Sequence, residues 1–236
     1  MNKKKKNSNK YGLTFKIFSD VINRRYPNKF KILKLPNENI LSKTHGVSRS
    51  SLRESLKVLQ SKGIISSKQK TGTEINEISN WNFFDRDILT WTQNSKYSLD
   101  IAKYFHETRL IIEPETIFIS ANRIKKKQKT QLEIVYNNLY KAVKNQDTES
   151  IIKYDLEFHK TILYSTENPI LLSLNSLINH ILKYNFELNQ MQKDAYEVWK
   201  IALPLHNKLK NQIISHKAKQ ARRTMYAIIN NTNKIS

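Results

Sequence analysis

Cysteine is absent from this chain of 236 residues, and glycine occurs only four times. Without cysteine, the chain can form no disulfide bond, no cysteine-ligated zinc site and no thiol nucleophile. The four glycines, Gly12, Gly46, Gly63 and Gly72, all lie in the N-terminal third. The other two thirds therefore contain no glycine-rich phosphate loop and no dinucleotide-binding fingerprint.

Long apolar runs are also absent. No stretch of the sequence approaches the roughly 20 apolar residues that span a bilayer. The polar, lysine-rich start, residues 1–10, is not followed by the apolar segment of a secretory signal peptide. We therefore expect a soluble cytoplasmic protein that has no membrane partner.

Acidic residues are scarce. The chain carries 41 lysines and arginines against 20 aspartates and glutamates, a formal charge of +21. Residues 1–79 hold 18 of the basic and 5 of the acidic residues, which is +13 of that charge. A generally lysine-rich proteome accounts for part of the positive charge in the rest of the chain, but not for its concentration in residues 1–79. A basic region of this kind attracts nucleic acid, and we expect residues 1–10 to form a disordered basic arm.

The pattern of residues 11–79 predicts a winged helix-turn-helix. Apolar residues at helical spacing indicate three helices. The second helix ends at Gly46, and the third begins directly afterwards with Ser48 as its N-cap. Two short strand candidates, residues 64–66 and 74–76, then flank a turn.

Three cations recur every four residues on the third helix, namely Arg49, Arg53 and Lys57. This spacing puts them on one face, opposite a stripe of leucines. Such a helix fits the major groove of DNA, where arginine pairs bidentately with guanine. The alternative is an ordinary solvated basic face. The candidate DNA contacts are Ser48, Arg49, Ser50, Arg53, Thr71, Gly72 and Thr73.

The apolar pattern changes after residue 79. It is irregular over residues 80–97, which we interpret as a connector, and helical almost throughout residues 98–236. We predict a mainly α protein in which the winged helix-turn-helix is followed by an all-α antiparallel helical bundle. The residue pattern also predicts that Pro114 opens a new helix, at its first turn.

Residues 35–73 resemble the DNA-binding domain of the GntR family of regulators. The matching segments are Leu35-Pro36-Asn37-Glu38, Gly46-Val47-Ser48-Arg49, Leu52-Arg53-Glu54-Ser55-Leu56, Gly63-Ile64-Ile65 and Thr71-Gly72-Thr73. The contacts that the resemblance implies are those of Ser48, Arg49, Arg53, Thr71 and Gly72. Asn39 stands where that family usually has an arginine that contacts DNA, which implies a lower affinity or a different operator preference.

Roughly residues 100–230 resemble the FadR-type ligand-binding domain, called FCD, of GntR regulators. The matching residues are Glu107-x-Arg109-x-x-x-Glu113-Pro114, Asp155-x-x-Phe158-His159, Asn168-Pro169 and His206. The resemblance implies that residues 98–236 bind a small-molecule effector and dimerise. A homodimer reads a pseudo-palindromic operator of double-stranded DNA, with one half-site for each subunit.

The same region contains a candidate metal site. Asp155 and His159 lie one helical turn apart, so both side chains point in one direction and can hold a divalent ion. His206, on a later helix, completes three ligands and leaves open positions, as Zn, Ni or Mn tolerates. In the resembling family a further histidine usually supplies a fourth ligand, and Ile228 stands at that position here. The alternatives are a helix-face ion pair and an interior histidine.

Arg109 is the candidate effector-binding residue. Pointing into the bundle, it would clamp a carboxylate; the alternative is an i,i+4 ion pair with Glu113. Residues 81–91 and the motif Leu203-Pro204-Leu205-His206 resemble the branch that controls sugar-acid catabolism, such as the galactonate-operon repressors. We therefore predict a repressor that a small carboxylate, such as a sugar acid of the aldonate type, releases from DNA.

Two other functions stay open at this point. A metal-dependent hydrolase or isomerase would use Asp155 and His206 in catalysis, although no obvious general base accompanies them and the wing would be unexplained. A regulator with a degenerate sensor, which Ile228 and Asn39 indicate, would bind DNA but ignore metabolites and metals.

Overall fold

The computed structural model of the chain describes residues 12–24, 33–68, 72–93, 95, 98–192 and 195–233. The chain divides into two compact units, residues 1–99 and 100–236. Within the described ranges, no helix is both long enough and apolar enough to cross a membrane. The predicted basic arm, residues 1–10, lies outside these ranges.

The first unit has the helix and hairpin order that its sequence predicts. In chain order it contains α1 (Gly12–Arg24), β1 (Leu33–Lys34), α2 (Glu38–His45), α3 (Arg49–Ser61), β2 (Ile65–Lys68), β3 (Gly72–Ile75), a 3₁₀ helix (Ile78–Asn80) and α4 (Arg86–Gln93). The strands form one antiparallel sheet in the order β1-β3-β2, with Leu33 and Ile65 on either side of Ile75. The winged helix-turn-helix is confirmed, and β1 is an addition to it.

Local hydrogen bonds specify the turn between α2 and α3. The Asn37 side chain accepts from the backbone N–H of Ile40 (3.0 Å) and caps the start of α2. Gly46 ends α2 with φ +64°, a left-handed conformation that favours glycine. Ser48 follows closely and accepts from the backbone N–H of Ser51 (3.2 Å), which caps α3. The two helices are therefore separated by a tight, fully capped turn.

The segment predicted as a connector, residues 80–97, is packed into the first unit over residues 80–93. Trp81 and Trp91 share the buried core with Phe18, and their ring centroids lie 5.5 Å and 5.1 Å from that of Phe18. The segment combines the end of the 3₁₀ helix, a turn and α4, so it shows no single apolar period. The interpretation as a connector is corrected accordingly, because this segment completes the core of the winged domain.

The second unit consists of helices joined by short turns, with no strand among its described residues. Its helices are α5 (Ser98–Arg123), which begins just before the boundary between the units, α6 (Lys126–Lys144), α7 (Thr148–Tyr164), α8 (Pro169–Ser173), α9 (Asn175–Gln192), α10 (Ala195–Ile214) and α11 (Ala218–Asn233). α6 packs against α7 and α10, α9 packs against α7 and α10, and α11 packs against α10. The core between them includes Leu132, Phe158, Leu209 and Met225. The prediction of an all-α bundle is confirmed.

α5 continues through Pro114, so the prediction of a new helix at this residue is wrong. Proline cannot donate a backbone hydrogen bond, and a helix interior accommodates it only where packing holds the turn. Pro114 is buried, and the side chains of Arg109 and Glu113 pair across the preceding turn. Tertiary contacts therefore override the local preference.

Candidate functional site

The outer face of α3 carries the predicted cations. Arg49, Arg53 and Lys57 are exposed, while Leu52 and Leu59 on the opposite face are fully buried. The three cations therefore face solvent at the spacing that suits the major groove.

The start of α3 is a cluster of serine hydroxyls. The Ser48 oxygen accepts from the backbone N–H of Ser51 and lies 2.9 Å from the Ser50 hydroxyl oxygen, so one of these two hydroxyls donates to the other. Ser48 is thus a helix cap as well as a predicted DNA contact. All three serines are exposed, which leaves the positive end of the helix accessible to a phosphate.

Arg53 is oriented by Glu38, a residue to which the sequence pattern assigns no function. Arg53 Nε donates to Glu38 Oε2 over 2.9 Å, and the two side chains are 63% and 41% exposed. An exposed ion pair contributes little to stability. The ion pair nevertheless orients the guanidinium of Arg53, because Glu38 projects from the first turn of α2. In the sequence, Glu38 indicates only that a helix starts there.

The wing is described in part. Gly72 opens β3 with φ +93°, a conformation that favours glycine, and an added Cβ would meet no atom within 4 Å. Thr73 is half-buried, and its carbonyl accepts from the backbone N–H of Leu35 (2.9 Å). Thr71, the third residue predicted for the wing tip, lies outside the described residues. The exposed Gly72 thus borders a backbone that the sheet holds in place.

In the second unit, α7 and α10 bring the three predicted metal ligands together. Asp155 and His159 lie one turn apart on α7, and His206 comes from α10. Asp155 Oδ1 is 3.3 Å from His206 Nε2 and 3.7 Å from His159 Nε2. One ligand atom from each residue lies within 4.8 Å of the others. Atoms that bind one zinc ion at about 2 Å lie about 3.3 Å apart, a spacing that Asp155 and His206 already have, whereas His159 must move closer.

Two of these atoms lack a hydrogen-bond partner although they are buried, namely Asp155 Oδ1 and His206 Nε2. The other ring nitrogen of His206, Nδ1, lies 2.8 Å from the carbonyl oxygen of Ala202 and must donate to it, because a carbonyl only accepts. In the neutral ring, Nε2 therefore directs a lone pair at a carboxylate oxygen. Two buried acceptors 3.3 Å apart are unfavourable unless a proton or a metal cation lies between them, so these residues fit a bound metal ion.

The ionisation of the cluster also suits a metal. Burial raises the pKa of the Asp155 carboxyl, but the close contact with His206 when its ring carries a proton on Nε2, together with the positive charges of the protonated histidines and of Arg109, outweighs it and holds this pKa below its ordinary value. Burial lowers the pKa of His159 below its ordinary value, against the opposing effect of Asp155 and Glu113. At pH 7, Asp155 is therefore ionised and His159 neutral, which are the forms that bind metals.

Arg109 is buried in the second unit and pairs with Glu113. Arg109 Nε lies 2.6 Å from Glu113 Oε1, and the two side chains are 3% and 4% exposed. The i,i+4 ion pair with Glu113, which the sequence left open as the alternative to effector binding, is therefore formed. Arg109 also lines the same cavity as Asp155, His159 and His206, so a ligand in that cavity would meet its guanidinium.

The cavity next to these groups is small. Its volume is about 50 Å³, which leaves room for a few water-sized groups. Leu182, Phe186 and Trp199 supply apolar wall, and Asn185 adds an amide. An apolar cavity with a few convergent polar groups is the usual form of a small-molecule site. Sites for larger ligands reach roughly 300 Å³ or more, so such a ligand requires these walls to move.

Ile228 lies in the wall of the same cavity. Its side chain is 2% exposed and offers no metal-binding atom, so this position is apolar where the resembling family has a ligand. Sequence reasoning missed Trp199 and Asn185. Trp199 precedes His206 by two helical turns, a sequence spacing that could have revealed it, and the two ring centroids lie 5.3 Å apart. Asn185 comes from α9, and no sequence pattern connects it with the cavity.

Comparison with known protein families gives one match in each unit. The family model described as bacterial regulatory proteins, gntR family, matches residues 33–75, which include α2, α3 and the wing. The model of the FCD domain matches residues 105–231, more than half of the chain. The family matches therefore cover both the basic face of α3 and the cavity of the second unit.

The similar proteins are regulators of transcription. The chain is 28% identical over 200 residues to the HTH-type transcriptional regulator YieP of Escherichia coli. The match covers 85% of this chain and 84% of that protein. The chain is also 29% identical over 161 residues to the galactonate operon transcriptional repressor of the same organism, covering 68% and 69%. Among solved structures, Streptococcus agalactiae GntR has the same fold, with a TM-score of 0.52 and 24% identity over 94% of this chain and 98% of its own.

Proposed function

We propose that this chain, which belongs to the GntR family of bacterial regulatory proteins and carries an FCD domain, is a repressor whose second unit senses a small carboxylate. The family and the relatives are regulators of transcription and not enzymes, which overturns the alternative of a metal-dependent hydrolase or isomerase. The GntR-type domain implies DNA binding, and the FCD domain implies a small-molecule effector. Repression, a carboxylate effector and a homodimer go beyond that assignment.

The exposed basic face of α3 supports recognition in the major groove. In the proposal, Arg49 and Arg53 read bases from this face. The phosphate contacts come from Ser48, Ser50, Thr71, Gly72 and Thr73. Two copies in a homodimer read a pseudo-palindromic operator, and residues 98–236 supply the contacts between the copies. The protein acts in the cytoplasm, where bacterial DNA lies.

Arg53→Ala tests this interface, and Lys57→Ala is its matched control. Loss of a base-reading arginine reduces discrimination by about 1–3 kcal/mol, so the ratio of operator affinity to random-DNA affinity should fall about 5- to 150-fold. Lys57 lies one turn away on the same face and reads no base in the proposal, so its loss removes only a positive charge and should weaken both affinities alike.

Fluorescence anisotropy at one salt concentration measures these affinities, on an operator that the wild-type protein selects from a random-sequence library. The proposed base-reading function of Arg53 is refuted if the two variants have the same specificity ratio.

The cavity of the second unit is the proposed site of effector sensing. There the guanidinium of Arg109 lines the same small space as Asp155, His159 and His206. A divalent metal such as Zn, Ni or Mn, held by these three residues, would supply open coordination positions for anionic oxygen. Arg109 binds the carboxylate of the effector. The similarity to a galactonate operon repressor favours a sugar acid.

Release from DNA follows from a difference in affinity between two arrangements of the protein. A sugar acid is larger than the present cavity of about 50 Å³, so its binding moves the walls that α9 and α10 supply. In the proposal, the wider cavity is incompatible with the arrangement that binds the operator. The effector then lowers operator affinity by the ratio of its own affinities for the two arrangements.

A thermal-unfolding panel tests the sensor. Purified protein is heated with and without a chelator, in the presence of galactonate, gluconate, hexuronates, lactate or pyruvate. A ligand at 100 times its Kd adds about 2.7 kcal/mol to stability, which shifts the midpoint by several degrees. The proposal predicts that one sugar acid stabilises the protein and that the chelator and Asp155→Asn each remove the effect.

A regulator with a degenerate sensor is the second candidate. The apolar Ile228 in the cavity wall and the ion pair that engages Arg109 favour it. In that case no acid shifts the midpoint and the chelator has no effect, while the protein still binds its operator.

A further inference from the structure

Glu113 divides its carboxylate between two side chains on different helices. Its Oε1 accepts from Arg109 Nε at 2.6 Å, and its Oε2 lies 3.4 Å from Arg109 Nη2 and 3.5 Å from His159 Nδ1. Arg109 and Glu113 belong to α5, whereas His159 belongs to α7. Each of the three side chains is at least nine-tenths buried, so water screens these contacts little.

The contact with Glu113 favours a hydrogen on one particular nitrogen of His159. Nδ1 lies 3.5 Å from Glu113 Oε2, closer than Nε2 lies to Asp155 Oδ1, and that Asp155 oxygen already faces His206 Nε2 at 3.3 Å. In the neutral ring the hydrogen is therefore assigned to Nδ1, toward Glu113, which as a carboxylate accepts it. Nε2 then presents its lone pair to Asp155 Oδ1, 3.7 Å away. The carbonyl of Ala202 imposes the same arrangement on His206. Both rings therefore direct a lone pair at one carboxylate.

Arg109 is what allows a carboxylate to perform this function. A buried carboxylate without a charged partner is strongly unfavourable, and a neutral imidazole does not compensate its charge. The guanidinium of Arg109 neutralises Glu113, so Glu113 can orient His159 without adding net negative charge beside the cavity.

We infer that Glu113 is a positioning residue that holds His159 in its metal-binding tautomer and ties the metal ligands to Arg109. This inference rests on the proposed function of the cavity. A carboxylate ligand that shares Arg109 with Glu113 neutralises Glu113 less completely, so more of the charge of Glu113 acts on His159, which makes Nε2 a better metal ligand. Metal binding and carboxylate binding therefore strengthen one another, and the coupling is reciprocal.

Titration of the full-length protein with Co²⁺ tests the inference. Glu113→Gln keeps the size of the side chain but removes its charge, and its amide can donate to Nδ1 and favour the other tautomer. Partners of this kind typically contribute 10- to 100-fold to metal affinity. We expect the Kd for Co²⁺, measured by competition with a chromogenic chelator, to rise about 10- to 100-fold.

Glu115→Gln is the matched control. Glu115 lies two residues further along α5, is 52% exposed and pairs with Arg222 at 3.2 Å. It has the same chemistry without a contact to His159, so its replacement should leave the Kd for Co²⁺ unchanged.

A double variant, Arg109→Met with Glu113→Gln, separates positioning from misfolding. The single variant leaves a buried guanidinium without its partner, which destabilises the fold, whereas the double variant removes both charges. The inference predicts a weakened Co²⁺ affinity in the double variant as well, with a metal-free melting temperature close to that of the wild type.

Imidazole ¹⁵N NMR of the metal-free protein measures the His159 tautomer independently of metal. We expect the Nδ1–H form in the wild type and a change in Glu113→Gln. If the wild type binds no Co²⁺, the metal-assisted sensor fails, and the tautomer still decides whether Glu113 positions His159. If Co²⁺ binds and both glutamine variants have Kd values within threefold of each other, or the tautomer is unchanged, Glu113 has no positioning function and the metal site stands.

Discussion

Gly63→Ala should destabilise the first unit far more than the same change at Gly46. Both glycines end a helix with positive φ, +77° and +64°. A Cβ at Gly46 meets no atom within 4 Å, whereas a Cβ at Gly63 overlaps the backbone carbonyl oxygen of Asn80, well inside the 3.0 Å that real Cβ atoms keep. The pair of variants therefore separates the cost of the left-handed conformation from the cost of a collision with the backbone.

The structure sets the expected magnitudes. A side chain in the left-handed region costs about 1–2 kcal/mol, and alanine returns about 0.4–1 kcal/mol by restricting the unfolded chain, so Gly46→Ala should cost about 1 kcal/mol. At Gly63 the backbone must also separate from Asn80, next to the bonds Asn82 N–H to Lys62 O (3.0 Å) and Asn76 Nδ2 to Gly63 O (2.8 Å). Each of these is worth about 1 kcal/mol, which brings the expected cost of Gly63→Ala to about 3 kcal/mol.

Hydrogen exchange in the full-length protein measures the two variants, because it reports on peptides of the first unit separately. Amides of α3 and β2 that exchange through unfolding of this unit should exchange about 100-fold faster in Gly63→Ala and less than tenfold faster in Gly46→Ala. Equal acceleration in both variants would refute the reasoning, since it would mean that the contact with Asn80 relaxes without loss of packing.

Three further predictions concern a helix end, a core ion pair and the cavity. Gln146→Gly should stabilise the second unit by about 0.5–1 kcal/mol, because Gln146 is exposed and has φ +56° after α6; an unchanged denaturation midpoint would contradict this. Burial raises the pKa of Asp85, but the hydrogen bond from Lys62 and other contacts outweigh it and lower this pKa below its ordinary value. Ionised Asp85 therefore stabilises the fold above its unfolded pKa of about 4, and this stabilisation is lost as pH falls through the folded pKa. Asp85→Asn should therefore cost about 1–3 kcal/mol at pH 7 and flatten the acid limb of the stability curve, whereas an equally steep limb would assign it to another group. Ile228→His should tighten Co²⁺ binding about tenfold, a gain of about 1.4 kcal/mol, and an unchanged Kd would mean that residue 228 does not reach the metal.

The winged helix-turn-helix is predictable from sequence because its turns are specified locally. Gly46 and Ser48 end one helix and begin the next within three residues, and Gly63 ends α3. Such signals depend on the backbone conformation of one residue and on hydrogen bonds within one turn, so they can be recognised without knowledge of the tertiary structure.

The parts of the first unit that the sequence pattern does not reveal depend on distant contacts. β1 consists of two residues and exists because Leu33 pairs with Ile75. Trp81 and Trp91 become core residues because they pack on Phe18 of α1. Neither feature produces a periodic pattern in its own segment, so an irregular segment such as residues 80–93 looks like a connector.

The candidate metal cluster shows the same division. Asp155 and His159 must share a face because they lie one turn apart on a helix, but only the resemblance to a family joins His206 to them. The contact of Glu113 with His159 is also between helices, and the sequence contains no trace of it beyond the spacing of Glu113 from Arg109.

For Arg109 the sequence leaves two interpretations, an ion pair with Glu113 or a clamp for a carboxylate, and the structure makes them compatible. The pair engages Nε and Nη2, whereas a guanidinium has five donors on three nitrogens. An arginine buried without a partner would be too unfavourable to wait for a ligand, so a buried effector-binding arginine needs a resident carboxylate. Burial also argues against a purely stabilising pair, because apolar side chains of similar size often stabilise such a position as well or better. In the proposed sensor, the ion pair is therefore what allows an arginine to remain in this cavity until a ligand carboxylate shares it.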